Sequence, residues 1–290
     1  MKTISVIVTN WNSVKLLNKY FPQVIKTSEL AQEIIFADDA SSDDSVKYVS
    51  ELQKNHPKIH IIAHRANLGF GENSNDAVKK ARGEFVVLLN SDISPHPDYL
   101  NPSLKHFTDP KVFGIGFAEI GHENYAKLMW KEGYIQHRPE TSASSHISGW
   151  VSGGSSIIRR EIFLKLGGFD PVYAPFYSED LDLGYRAWKS GYKCLWEPRC
   201  RVEHRHESTI SRFPKYTLDY VKERNRLLTV WRNITDPKML FENRLAQIGR
   251  ILTGPNYIKI ILAAKRQINN ANPPIIFPVL SDREIFKKFL

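Results

Sequence analysis

Short runs of β-branched and aliphatic residues recur through the first 118 residues, each followed by a stretch in which apolar positions return every three or four residues. The runs at 4–8, 33–37, 59–63, 85–89 and 112–117 have the length and composition of buried strands. The stretches 14–27, 45–55, 73–82 and 98–107 read as amphipathic helices, the first with Pro22 kinking or restarting it. This βαβ alternation predicts an α/β fold: a Rossmann-like, mostly parallel twisted sheet with helices on both faces. From 119 to 146 no period dominates, and the stretch reads as a variable connection. Order returns at Ser148, with a strand at 155–159, a short helix to Leu166 and a turn over Gly167-Gly168-Phe169-Asp170. A further helix starts after Ser178, a good N-cap, and carries Leu181, Tyr185 and Trp188 on one face. Beyond Pro214 the pattern is helical over 216–233, 237–252 and 256–268, and the last twenty residues, with Pro273, Pro274 and Pro278, read as an extended arm.

In such sheets ligands bind beyond the carboxyl ends of the strands. The four tips there are polar: Thr9-Asn10-Trp11-Asn12 after the first run, Asp38-Asp39 after the second, Asn67-Leu68-Gly69 after the third and Asn90-Ser91-Asp92 after the fourth. They converge on one rim, which makes them the candidate contacts for a bound ligand.

Composition narrows the field. A chain of 290 residues buries enough surface to need no staples, and two cysteines, Cys194 and Cys200, make neither a disulfide framework nor a four-ligand zinc pattern, which suits a reducing cytoplasm. The apolar run after Met1 stops at Thr9, too short for a signal-peptide core, and no stretch reaches the roughly 18 apolar residues of a membrane span, so a soluble or peripheral protein is expected. Forty Lys and Arg against 31 Asp and Glu leave a net charge of +9, and residues 199–266 alone, with 15 bases and 6 acids, account for all of it. A neutral core therefore carries a basic last third whose partners are anionic: lipid headgroups, diphosphate-linked acceptors or nucleic acid.

The residues at the rim have chemistry to offer. Trp11 can stack on a nucleobase beside the hydroxyl of Thr9 and the amide of Asn12, and Asp39 can accept from a uracil or thymine imide; the same residues also make an ordinary exposed turn. Asp92 closes a buried run and suits a hard cation that also takes diphosphate oxygens, or else an Asx-turn into Ser94-Pro95. Ser178-Glu179-Asp180 puts two acids in the first turn of a helix, where the macrodipole favours the ionised form a general base needs, although acids decorate many helix starts. His204 and His206 follow an apparent strand at Arg201 and Val202, in Val-Glu-His-Arg-His, as ligands of a metal or diphosphate or as a solvated pair.

Order and spacing decide among these readings. Val-Ile-Val-Thr-Asn-Trp-Asn at 6–12, Phe-Ala-Asp-Asp-Ala-Ser-Ser-Asp at 36–43, Asn-Leu-Gly-Phe-Gly at 67–71, Leu-Leu-Asn-Ser-Asp at 88–92, Ser-Gly-Gly-Ser-Ser at 152–156, Gly-Gly-Phe-Asp at 167–170, Glu-Asp-Leu-Asp at 179–182 and Glu-Pro-Arg-Cys-Arg-Val-Glu-His at 197–204 follow one another along the chain. Together they resemble the inverting glycosyltransferases of family 2, the rhamnosyltransferases among them, over residues 4–208. The resemblance implies a GT-A fold in a catalytic domain at 1–213, with a nucleotide-sugar half at 1–118, an acceptor half at 147–210 and a basic helical C-terminal region at 214–290. It implies that Thr9, Trp11 and Asp39 hold the nucleoside of a UDP- or dTDP-sugar, and that Asn10, Asn12, Asp38, Asn67, Gly69, Asn90 and Ser91 line its site. It also implies that Asp92 binds Mg²⁺ or Mn²⁺ with help from His204, that Asp180 is the general base, and that Trp150, Gly153, Gly154 and Glu179 face the acceptor. Glycines there allow close backbone approach, and the indole offers a face to a sugar ring. The family's Asp-x-Asp is here Asn90-Ser91-Asp92, and replacing one carboxylate by an amide weakens the grip on the ion.

The implied acceptor is a glycan or a polyprenyl-diphosphate-linked sugar in cell-surface polysaccharide synthesis. The basic helix 216–233, with Leu218, Val221, Leu228 and Trp231 beside Lys222, Arg224, Arg226 and Arg232, suits an anionic membrane surface at the inner face of the cell membrane, or else a helical cap with solvated charges. A sugar nucleotidyltransferase would carry a Gly-rich basic loop after the first strand, which Thr9-Asn10-Trp11-Asn12 is not. A nucleic-acid partner is not expected, because no recognition motif is present and acidic strand tips repel phosphate unless a metal intervenes.

Overall fold

A computed structural model describes residues 2–205 and 213–290; His206 lies outside them. The chain runs β1 (Ile4–Asn10), α1 (Val14–Thr27), β2 (Glu33–Asp38), α2 (Ser45–Gln53), β3 (Ile59–Ala63), α3 (Phe70–Lys80), β4 (Phe85–Asn90), β5 (Ile93–Pro95), α4 (Asn101–Leu104), β6 (Val112–Glu119), β7 (Tyr125–Lys131), β8 (Tyr134–Glu140), β9 (His146–Ile147), β10 (Ser155–Arg159), α5 (Arg160–Lys165), α6 (Glu179–Lys189) and β11 (Lys193–His204). Four more helices follow: α7 (Lys215–Asn233), α8 (Pro237–Thr253), α9 (Tyr257–Asn269) and α10 (Asp282–Lys287).

The main sheet has the order β3-β2-β1-β4-β10-β6-β11-β5, with β9 paired to β11. Strands β1 to β4 are parallel, β10 runs antiparallel between β4 and β6, and β11 is parallel to β6. Every residue of β1 and β2 is buried, as expected of strands covered on both faces. The two-residue pleat sorts them: Val6 and Val8 meet Leu17 and Phe21 of α1 in one core, while Ile7 and Leu88 look into the other, which α3, α5 and α6 cover. Helix α1 runs unbroken through Pro22 rather than kinking or restarting there, and that residue lies on the exposed side, where water can take the carbonyl the ring leaves unbonded.

Three segments differ from the sequence expectation, the first being the helix expected over 98–107, which is the short α4 followed by a 3₁₀ turn over Lys105–Thr108. Residues 125–140, read as part of a variable connection, form the β7–β8 hairpin, closed by Glu132 and Gly133, both at positive φ as a tight two-residue turn requires. Its buried side chains Leu128, Tyr134 and Ile135 share a core with α7 and α9, elements more than eighty residues away, so no local period marks it. The C-terminal arm is extended only in part, since it ends in α10, whose capping box pairs Ser281 with Glu284.

The C-terminal helices are bonded into the α/β body. Asp182 of α6 is fully buried and accepts from Arg186 Nε (2.7 Å), the Tyr173 hydroxyl (2.8 Å) and Asn233 Nδ2 (2.7 Å) of α7. Lys189, also buried, pairs with Asp282 of α10 at 3.1 Å. A buried charge left without its partner costs several kcal/mol, so these pairs fix α7 and α10 against α6. Cys194 and Cys200 are free and buried. Among the described residues no helix is long and apolar enough to cross a membrane.

Candidate active site

The carboxyl ends of β1, β2 and β4 open onto a cleft of about 360 Å³. Thr9, Asn10, Trp11, Asp39, Asn67, Gly69, Asn90, Ser91 and Asp92 line it from the sheet side, and Gly153, Gly154, Glu179 and Asp180 from β10 and α6. A larger cavity of about 650 Å³, between Gly168, Asp170 and Ile275, contains none of the candidate site residues.

Asp39 staples the loop before α3 to the tip of β2. Its two oxygens accept the backbone N–H groups of Leu68 (2.7 Å) and Gly69 (2.8 Å), and its backbone carbonyl takes the Asn67 amide at 3.3 Å. Gly69, at φ 83°, supplies the left-handed residue that turns this loop into the helix. Thr9 donates to Asn90 across the β1–β4 pair at 3.4 Å.

Four candidates do not line the cleft: Trp150 and His204, which stand behind it, and Asp38 and Asn12. Asp38 is buried with its carboxylate taken by Asn10 Nδ2 (2.8 Å) and by Ser41, through N–H (2.9 Å) and hydroxyl (2.6 Å), so it braces the β1 and β2 tips and is not a donor contact. Asn12, at φ 49°, accepts the Ser42 N–H at 2.7 Å and belongs to the same brace.

Asp92 and His204 come together from β4 and β11. His204 Nε2 lies 3.2 Å from Asp92 Oδ1, and its Nδ1 lies 2.9 Å from Glu119 Oε2 at the tip of β6. Burial works against the imidazolium, but the two carboxylates outweigh it and push the histidine up to about 9. A carboxylate oxygen, an imidazole nitrogen and an outer carboxylate fixing the ring are the donor set a divalent ion takes. Among the described residues no three such side chains are placed to hold a metal ion together, so an ion here would complete its shell with diphosphate and water. Glu119 stands at the tip of β6, a fifth strand end to which the same rule applies.

Both acids of α6 are raised above their ordinary values. Burial comes first and mutual repulsion second: Glu179 moves up to about 8, with one carboxyl oxygen buried and unbonded among the described residues. Asp180 also moves up by burial, opposed by hydrogen bonds from the N–H groups of Leu181 (2.8 Å) and Gly153 and from the Trp150 indole. Desolvation therefore outweighs the helix dipole invoked for this pair. With donors on Asp180 and an orphan oxygen on Glu179, a proton shared by the pair sits on Glu179 and leaves Asp180 as the anion.

Ser178 does not cap α6 with its side chain. It and Tyr177 sit at φ 76° and 72°, a conformation costly for residues with a Cβ. Buried Asn225 of α7 holds the turn: its Nδ2 donates to the carbonyls of Tyr173 (2.9 Å), Phe176 (3.0 Å) and Tyr177 (2.7 Å). Nothing in the local sequence around Asn225 marks this role.

Trp150 borders a neighbouring cavity of about 530 Å³ that shares Ser152 with the cleft and reaches Glu119 and Trp196. A Cβ on Gly184 would collide with the Gly149–Trp150 backbone, so glycine there lets that segment lie against α6. Gly154 similarly makes room for the Asn90 amide, a packing role beside its place in the cleft. Phe70, Phe176, Tyr177 and Phe213 complete the apolar wall, with Lys222 over the Tyr177 ring at 4.8 Å.

The cleft thus lies at the carboxyl ends of a parallel sheet, with Asp92 of an Asp–His pair on one wall and two acids on the other. The sequence model of glycosyl transferase family 2 matches residues 5–167. The chain belongs to that family. A similar curated protein is the N-acetylglucosaminyl-diphospho-decaprenol L-rhamnosyltransferase of Mycobacterium tuberculosis, 23% identical over 249 residues, 73% of this chain and 78% of the relative. Another is the O-antigen chain rhamnosyltransferase of Salmonella anatum, 24% identical over 220 residues, 72% of this chain and 68% of that one. Among solved structures, GalNAc-T7 with UDP, GalNAc and Mn²⁺ superposes with a TM-score of 0.70 at 17% identity, over 99% of this chain and 56% of that one. The sheet and helices are thus those of a GT-A glycosyltransferase, and the family 2 enzyme spans little more than half the length of that structure.

Proposed function

We propose that this glycosyltransferase moves a sugar from a UDP- or dTDP-sugar to a hydroxyl of a lipid-linked or glycan acceptor, with inversion at the anomeric carbon. The observation that carries the reading is that Asp92, linked to His204, and Asp180 line one cleft whose far end is walled by Thr9, Trp11 and Asp39.

Trp11 and Thr9 would hold base and ribose, and the remaining lone pairs of the Asp39 carboxylate face the base. Asp92 and deprotonated His204 would hold Mg²⁺ or Mn²⁺, which would supply positive charge to the diphosphate as it leaves. Asp180 takes the proton of the attacking hydroxyl while the new carbon–oxygen bond forms and the bond to the diphosphate breaks. Trp150 and the Gly153 N–H aim that carboxylate, and Glu179, carrying the shared proton, faces the acceptor as a hydrogen-bond donor. A single displacement of this kind leaves no covalent glycosyl intermediate. Rhamnose as the transferred sugar and a polyprenyl diphosphate as the acceptor anchor rest on the similarity to the mycobacterial and Salmonella transferases, and such an acceptor would place the enzyme at the inner face of the cell membrane.

The test is a panel of nucleotide sugars with Mg²⁺, Mn²⁺ or chelator, read as thermal shift and as release of nucleoside diphosphate. Metal-dependent stabilisation by one nucleotide class is expected, lost in Asp92→Ala; Asp180→Asn should keep that stabilisation while transfer falls by about 10²–10⁴-fold. If no nucleotide sugar stabilises the protein under any metal condition, the reading is wrong.

A further inference from the structure

Helix α7, whose basic and apolar composition suited a membrane surface, has no free apolar stripe of that kind. Val221 and Leu228 are in the core, Arg224 is buried, and Arg232 pairs with Asp170. Beyond Tyr216 and Tyr220 on α7, a longer exposed apolar line runs along the next two helices. Met239, Leu240, Ala246 and Ile251 of α8 pack inward against the core. Phe241, Leu245, Ile248 and Leu252, spaced four, three and four residues apart, form a second line along the outer side and are 51% to 79% exposed. On α9, Tyr257, Ile261 and Ala264 are buried, while Ile258 and Leu262, one turn apart, are exposed.

Charge surrounds this apolar line with one sign. Lys238 and Arg244 of α8 and Lys259, Lys265 and Arg266 of α9 are exposed. The one acid of these two helices, Glu242, accepts from Trp130 of the β7–β8 hairpin at 2.6 Å. A second copy of the chain docked on this face would set the same cations against each other. A bilayer with anionic headgroups satisfies both features, burying the apolar line at the acyl boundary while the lysines and arginines reach phosphate.

We propose that the outer face of α8 and α9 docks the enzyme on an anionic lipid bilayer. This rests on the transferase reading only for its purpose, delivery of the cleft to a membrane-presented acceptor; the physical claim is independent of it. Surface line and cations work together: the apolar side chains supply insertion, and each base near the surface adds roughly a fivefold gain in partition.

The experiment is sedimentation of the full chain with phosphatidylcholine vesicles and with phosphatidylcholine–phosphatidylglycerol vesicles, at low and raised salt. Binding to the anionic vesicles is expected, weakened by salt and by omission of phosphatidylglycerol. Ile248→Glu/Leu252→Glu and, separately, Lys259→Glu/Lys265→Glu should each lower the partition coefficient by at least about tenfold. Both variants, altered only at exposed positions, should keep the wild-type unfolding temperature and nucleotide-dependent thermal shift. Loss of nucleotide binding in the wild type with vesicle binding intact would strike the transferase reading alone. Docking is overturned if the wild type binds no vesicle, if the stripe variant binds as well as wild type, or if Ile248→Glu instead dissolves a dimer of a chain that ignores vesicles.

Discussion

Replacing Asp39 by Asn tests whether this carboxylate builds the nucleoside end of the cleft or merely faces it. The side chain is 3% exposed and each oxygen accepts one backbone N–H, from Leu68 and Gly69. Hydrogen bonds to a charged acceptor contribute about 1.5–3 kcal/mol each, so the clamp as a whole is worth about 3–6 kcal/mol. An asparagine keeps the shape, but its single carbonyl can serve only one of the two donors and turns an NH₂ toward the other. The expected loss is about 2–4 kcal/mol, since one bond goes, the other becomes neutral, and a buried N–H is left facing a donor. With a urea slope of about 2 kcal/mol/M, that moves the unfolding midpoint down by about 1 M or more. Because the loop that carries Asn67 and Gly69 loosens with it, affinity for UDP, measured by calorimetry, should fall at least about tenfold. A midpoint within about 0.2 M of wild type would refute the clamp; an unchanged midpoint with lost UDP affinity would reduce Asp39 to a direct base contact.

The remaining predictions concern the opposite wall. Asn225→Ala should cost about 1–3 kcal/mol and lower kcat, as the turn at Tyr177 and Ser178 relaxes, while the UDP dissociation constant measured by calorimetry changes far less than kcat. Glu179 is raised from 4.5 to about 8, so its contribution to stability is fully present below pH 4.5 and is lost as pH rises through about 8. Glu179→Gln should accordingly gain melting temperature over wild type in metal-free buffer as pH goes from 5 to 9, and a difference that stays flat across that range would contradict the raised acid. Gly154→Ala drives a methyl into the Asn90 amide and should cost about 1–3 kcal/mol in urea unfolding together with nucleotide affinity, whereas Gly249→Ala, with open space around it, should cost nothing in either assay.

Much of the sheet wall of the cleft was legible because its information is local. Strands β1 to β4 are continuous apolar runs, and a parallel sheet places its ligand at their carboxyl ends, so Thr9, Trp11, Asp39, Asn90 and Asp92 could be picked from order alone. Asp38 and Asn12 were drawn in with their neighbours because a strand tip does not reveal which side chain turns into the cleft and which braces it. The β7–β8 hairpin was illegible because the surface that buries Leu128 and Tyr134 is supplied by helices from the end of the chain.

Sequence by itself determined the fold class, the family and the residue types at the rim, since periodicity and motif order depend only on neighbours along the chain. Tertiary structure decided which acid of the Glu179–Asp180 pair is hydrogen-bonded from another element, because that turns on Gly153 and Trp150 approaching Asp180, and on burial that overrides the helix dipole. It likewise decided that Asn225, from the basic C-terminal region, holds the turn before those acids, and that the outward apolar line is on α8 rather than α7. A helix with apolar residues on more than one side does not state in its sequence which side the rest of the molecule will cover; packing settles that, and leaves the other side to whatever lies outside the protein.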